Sequence, residues 1–111
     1  MLNGDKASRI PSSLNITFLN IEGEAVLLML DEEGICASSG SACTSKSLDP
    51  SHVILALGRP YEAAHGSIRF SLSKFNTKEE ADKLIDLMPK IVKRLRNISP
   101  VHLTLGEIKN V

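Results

Sequence analysis

The chain has 111 residues, 42% of them apolar and 23% charged, with thirteen Lys plus Arg balancing thirteen Asp plus Glu. That size and balance fit one soluble globular domain with one modest core. Net neutrality argues against a dedicated nucleic-acid binder, and no apolar run approaches the roughly 18 residues of a membrane span. The first residues, Met1 to Lys6, lack the apolar core of a signal peptide, and two cysteines are too few for a disulfide framework. A reducing cytoplasmic compartment is the default expectation.

In chain order, residues 1–8 are polar and read as a flexible N-terminal segment, followed by one folding unit over 9–99 and a tail over 100–111. Leu14-Asn15-Ile16-Thr17-Phe18 alternates apolar and polar residues and predicts a half-buried strand. The run Ala25 to Leu30 is long enough for either a strand or a buried helix. Acidic residues before it and Gly34 after it favour a helix closed by a glycine. Ile35-Cys36-Ala37-Ser38 predicts a short strand, and the hydroxyl-rich run from Ser38 to Ser47 an exposed loop. Asp49-Pro50-Ser51 predicts a helix start with Pro50 at the first helical position, and Gly58 its stop.

Ser67 to Ser73 alternates cleanly, placing Ile68, Phe70 and Leu72 on one face of a strand and Arg69 on the other. Thr77 and Glu80 then fit a capping box. Apolar residues at 81, 84, 85, 88, 91, 92, 95 and 98 predict one helical stripe, kinked at Pro89. Strands and helices alternating over this length predict an α/β fold, an α+β sandwich: a small antiparallel or mixed sheet with helices packed on one side.

Cys43 is the candidate with the clearest chemistry. It sits among residues too small to bury it, where a nucleophilic thiol reaches a substrate. Cys36, between Ile35 and Ala37, reads instead as inert packing, and the Cys36–Cys43 spacing does not suit a metal site. Arg69 is either a solvated strand residue or a guanidinium fork fixed on rigid backbone to hold a carboxylate. His52 and His65 are weaker candidates for general bases, and His102 weaker still. No phosphate-binding glycine loop is present in the sequence.

Ser38-Ser39-Gly40-Ser41-Ala42-Cys43-Thr44-Ser45 resembles the active-site loop of the NifS/IscS-type cysteine desulfurases. Leu48-Asp49-Pro50-Ser51-His52-Val53, Ala64-His65-Gly66-Ser67-Ile68-Arg69-Phe70-Ser71-Leu72 and Arg94-Leu95-Arg96-Asn97-Ile98-Ser99-Pro100 follow in the same order. Upstream, Leu14-Asn15-Ile16-Thr17-Phe18 and Glu22-Gly23-Glu24-Ala25 also fit, so the similarity runs over roughly residues 4 to 101. The resemblance implies the C-terminal small domain of a fold-type-I pyridoxal-phosphate enzyme, usually a homodimer. Such an enzyme converts L-cysteine to L-alanine and passes the sulfur, as a persulfide, to an iron–sulfur scaffold or another acceptor protein.

By the same resemblance Cys43 is the nucleophile and persulfide carrier, and Arg69 holds the substrate carboxylate. The family's Schiff-base lysine and phosphate-binding residues belong to its N-terminal domain, and neither Lys46 nor Lys74 stands in the matching setting. The chain alone is therefore expected to bind no cofactor and to be inactive without that domain. The alternative is a stand-alone persulfide carrier or binding module without desulfurase activity.

Overall fold

The computed structural model describes residues 1–39, 49–102, 104 and 106. In chain order the elements are β1 (Ser13–Thr17), α1 (Gly23–Glu32), β2 (Ser38–Ser39), α2 (His52–Ala56), α3 (Tyr61–Ala64), β3 (Ser67–Ser71) and α4 (Lys78–Ile98). The strands form an antiparallel sheet in the order β1-β3-β2, with Ser13 to Thr17 opposite Ser71 to Ser67 and Ser38 opposite Arg69. The expected α/β fold is present, with its sheet wholly antiparallel.

Alternation along β3 divides the sheet into two chemistries. Ile68 and Phe70 enter a core with Val26 and Leu30 of α1 and Ile91 and Leu95 of α4. The two long helices thus cover one face, as apolar burial requires. Thr17 and Ser67 belong to the opposite face by register and bury a hydroxyl pair 2.7 Å apart.

Each helix answers to local signals. The apolar run at 25–30 does form α1, with Val26 and Leu30 one turn apart in the core and Leu28 exposed. Gly34 follows at φ +74°, a left-handed geometry that glycine adopts at little cost. Lys83 Nζ donates to the Glu33 carbonyl at 2.8 Å, so α4 satisfies an acceptor at the end of α1. Arg96 Nε does the same for Leu19 O at 3.0 Å.

Several local expectations are displaced. Pro50 is not the first helical residue; Ser51 keeps extended backbone at φ −55°, ψ 125°, and α2 starts at His52. The expected strand over 35–38 shrinks to Ser38–Ser39, because only there does a partner on β3 exist. Ile85 and Ile98 are exposed rather than part of the α4 stripe. The seam that meets the core runs through Leu84, Met88, Ile91 and Leu95, and Ile85 lies about 100° further round the helix. α4 continues through Pro89, and Leu72 is exposed just beyond β3. Residues 1–3, read from sequence as flexible, run beside β1, with Leu2 bridged to Ile16 and Asn3 buried.

The capping box of α4 forms as its sequence predicts. Glu80 N–H donates to Thr77 Oγ1 at 3.2 Å, and Thr77 N–H donates to Glu80 Oε2 at 3.0 Å. Donation from the Asn76 side chain, and then from the Thr77 backbone, holds the Glu80 carboxyl below its ordinary value. A carboxyl lowered in the folded state stabilises fully above its unfolded value and loses that effect as pH falls through the folded one. Thr77→Ala is expected to cost about 1 kcal/mol near neutral pH. Glu80→Gln removes the titrating carboxylate, and its deficit in urea titrations should be full near neutral pH and shrink as pH falls through the lowered Glu80 value.

Candidate functional site

Arg69 occupies the middle of the central strand and is exposed. Asn15 of β1 and Ser38 of β2 are its direct cross-strand partners. Directly opposed residues in an antiparallel sheet project from the same face. Asn15, Arg69 and Ser38 therefore form a polar row across all three strands, on the face away from the apolar core.

Beside this row lies a partly buried hydrogen-bonded chain that links distant parts of the sequence. Arg59 donates through Nε to Asn3 Oδ1 at 2.9 Å and through a terminal nitrogen to Leu2 O at 2.7 Å. Asn3 Nδ2 lies 2.8 Å from Asn15 Oδ1 and 2.7 Å from Thr17 Oγ1. Asn3, Thr17 and Ser67 are all buried, and among the described residues no buried side-chain polar atom lacks a partner. Polar contacts therefore tie the N-terminal residues, β1, Arg59 and the start of β3 together at this end of the sheet.

The turn that carries β1 into α1 is pinned against the start of β3. Phe18 N–H donates to Gly66 O at 2.8 Å and Gly23 N–H to His65 O at 3.0 Å. A side chain on Gly66 would begin 2.0 Å from Phe18 O, so the approach requires glycine. This contact sets the height at which β3, and with it Arg69, enters the sheet.

Cys43 lies outside the described residues, as does Lys46, so their surroundings are not part of this geometry. Cys36 is exposed, not packed. Its neighbours Ile35 and Ala37 turn towards the core, and in an extended segment that forces Cys36 outward. It lines an open groove of about 440 Å³ with Leu27, Leu28, Glu24 and Asp31. His52 and His102 are exposed. His65 is half-buried, its ring edge-on to Tyr61 at 4.9 Å and Nδ1 4.0 Å from Glu22. None of the histidines shares the face row with Arg69.

The described residues do not fit pyridoxal phosphate. A Schiff-base lysine needs a desolvated setting, and Lys6, Lys74, Lys78, Lys83, Lys90 and Lys93 are all exposed. Among the described residues there is also no cluster of His, Cys, Asp and Glu able to hold a metal ion. No described helix is long and apolar enough to cross a membrane.

Comparison with known proteins gives this geometry a context. The family model described as Aminotransferase class-V matches residues 1–84. A cysteine desulfurase of Trichormus azollae is 59% identical over 99 residues, covering 89% of this chain and 25% of the relative. The cysteine desulfurase NifS of Azotobacter vinelandii is 58% identical over 109 residues, covering 98% and 27%. A solved NifS-like protein from Rickettsia africae superposes with a TM-score of 0.67 at 32% identity, covering 80% of this chain and 22% of that one. The chain thus spans about a quarter of the length of the curated relatives it matches.

Proposed function

Since the chain belongs to the aminotransferase class-V family, and its relatives there are cysteine desulfurases of the NifS/IscS kind, we propose that it is the sulfur-accepting part of such an enzyme. The reaction is the conversion of L-cysteine to L-alanine, with the sulfur retained as a persulfide on Cys43. In balance, the substrate thiol and the Cys43 thiol become a C–H bond on the product and an S–SH group on the protein.

One observation carries this reading: Arg69 stands exposed on the central strand directly opposite Ser38, at the root of the segment that bears Cys43. Ser39 and Cys43 are four residues apart, so the chain between them spans at most about 14 Å. A carboxylate held by Arg69 in two parallel hydrogen bonds is therefore within reach of the same short tether that carries the thiol. Fixing the acid end of an amino acid on rigid strand, on a residue other than the one that carries the acceptor sulfur, separates two tasks. Binding needs fixed geometry, and delivery of the sulfur to another protein needs movement.

Pyridoxal phosphate, which the family implies, belongs in this proposal to the greater length of the full enzyme. The same proposal expects a homodimer, a cytoplasmic setting, and an iron–sulfur scaffold or other protein as sulfur acceptor. Mass spectrometry of the full-length enzyme after exposure to L-cysteine tests it. One added sulfur, removable by a thiol reductant, is expected on the peptide containing Cys43. An unmodified Cys43 peptide while alanine accumulates would overturn the reading.

A further inference from the structure

We infer that Asn15 is a second anchor for the substrate carboxylate, its side-chain amide donating beside the Arg69 guanidinium. The inference deepens the reading of Arg69 given above and rests on it. It follows from donor and acceptor identities that can be fixed in sequence along the partly buried chain. The Arg59 guanidinium only donates, so the Asn3 atom 2.9 Å from its Nε must be the carbonyl oxygen. The other end of the Asn3 side chain is then its NH₂, and the Asn15 atom it meets at 2.8 Å must accept. Asn15 Oδ1 is thereby committed to Asn3, and Asn15 Nδ2 is the end left to donate.

The sheet sets the neighbour of that free end. Asn15 O accepts from Asn3 N–H at 2.9 Å, and Thr17 N–H donates to Met1 O, so residues 1–3 occupy the edge of β1 away from β3. With Oδ1 drawn to that edge, Nδ2 is the end of the amide not committed to it. Because the Asn15 backbone bonds to Asn3, Asn15 and Arg69 are a non-hydrogen-bonded cross-strand pair, the closer kind, with Cα atoms about 4.5 Å apart. An amide NH₂ and a guanidinium placed side by side cannot satisfy each other, since both donate. What satisfies both is an acceptor-only group with several lone pairs, and a carboxylate is that group. Asn15 is only half-buried and Arg69 exposed, so the pair opens to solvent.

The test is made in the full-length enzyme that carries this chain. Asn15→Asp keeps the acceptor for Asn3, removes the donor and sets a negative charge beside Arg69. It is expected to raise the KM for L-cysteine about tenfold or more with kcat within about twofold, the signature of lost ground-state binding. Asn15→Ala, which adds no charge, is expected to raise KM several-fold with the same split, and it decides the matter if the Asp variant fails to fold. Arg69→Leu is measured alongside. A large rise in KM for Arg69→Leu with none for either Asn15 variant overturns the role of Asn15 and leaves that of Arg69 standing. An unchanged KM for Arg69→Leu removes the carboxylate reading altogether. A fall in kcat and thermal stability without a KM effect in the Asn15 variants makes the residue structural and also overturns the inference.

Discussion

Cys43→Ser in the full-length enzyme is expected to lower L-alanine formation from L-cysteine at least about a thousandfold and to abolish sulfur delivery to any acceptor. A serine hydroxyl is nearly isosteric with the thiol. It is far less acidic and a much weaker nucleophile towards sulfur, so the substrate's sulfur has no place to go. Binding is a separate matter: Arg69 and its strand are untouched, and affinity for a carboxylate competitor should stay within about twofold. Alanine formation and inhibitor binding, measured on the same preparation, check both halves. Alanine formation at the unsubstituted rate would remove Cys43 from the reaction. Cys36 supplies the control: it is exposed in the groove beside α1, and Cys36→Ser should change neither quantity.

Gly66→Ala is expected to destabilise the fold by about 3 kcal/mol or more. The new methyl carbon would start 2.0 Å from the Phe18 carbonyl oxygen and 2.9 Å from that of Ile21. Both obstacles are backbone, so no rotamer change relieves them. The turn after β1 has to retreat, and it takes with it the Phe18–Gly66 and Gly23–His65 hydrogen bonds. Gly34→Ala is the useful comparison: its neighbourhood is open, its φ is +74°, and the cost should be about 1 kcal/mol from backbone conformation alone. Chemical denaturation midpoints of the two variants should differ accordingly; equal midpoints would show that the turn yields freely.

What could be read from the sequence was what a short pattern specifies. β3 was legible because strict alternation from Ser67 to Ser71 forces Ile68 and Phe70 to one side and Arg69 to the other. The start of α4 was legible because Thr77 and Glu80 satisfy each other within one turn. Patterns that depend on a distant partner were not. Nothing near Ile85 distinguishes it from Leu84; only the position of the sheet decides which of the two is buried. α3 spans four residues after Pro60, too few to show a period. Cys36 looked buried because its neighbours are apolar, yet alternation between them turns it outward.

The candidate site divides along the same line. Arg69 stood out as a charge on a strand whose other face is apolar. Asn15 did not, because the sequence of β1 says which residues share a face but not which strand lies opposite. Asn3 and Arg59, separated by more than fifty positions in the chain, acquire their meaning only when the fold joins them.

The strand order β1-β3-β2 has a consequence for biosynthesis. The central strand is the last of the three to leave the ribosome, roughly fifty residues after β1. At typical elongation rates this leaves β1 waiting about 3–10 s with an unpaired margin. Such a margin is adhesive towards other nascent chains. Slowing translation between Thr17 and Ser67 should therefore lower the soluble yield, whereas slowing it after Ser71 should not.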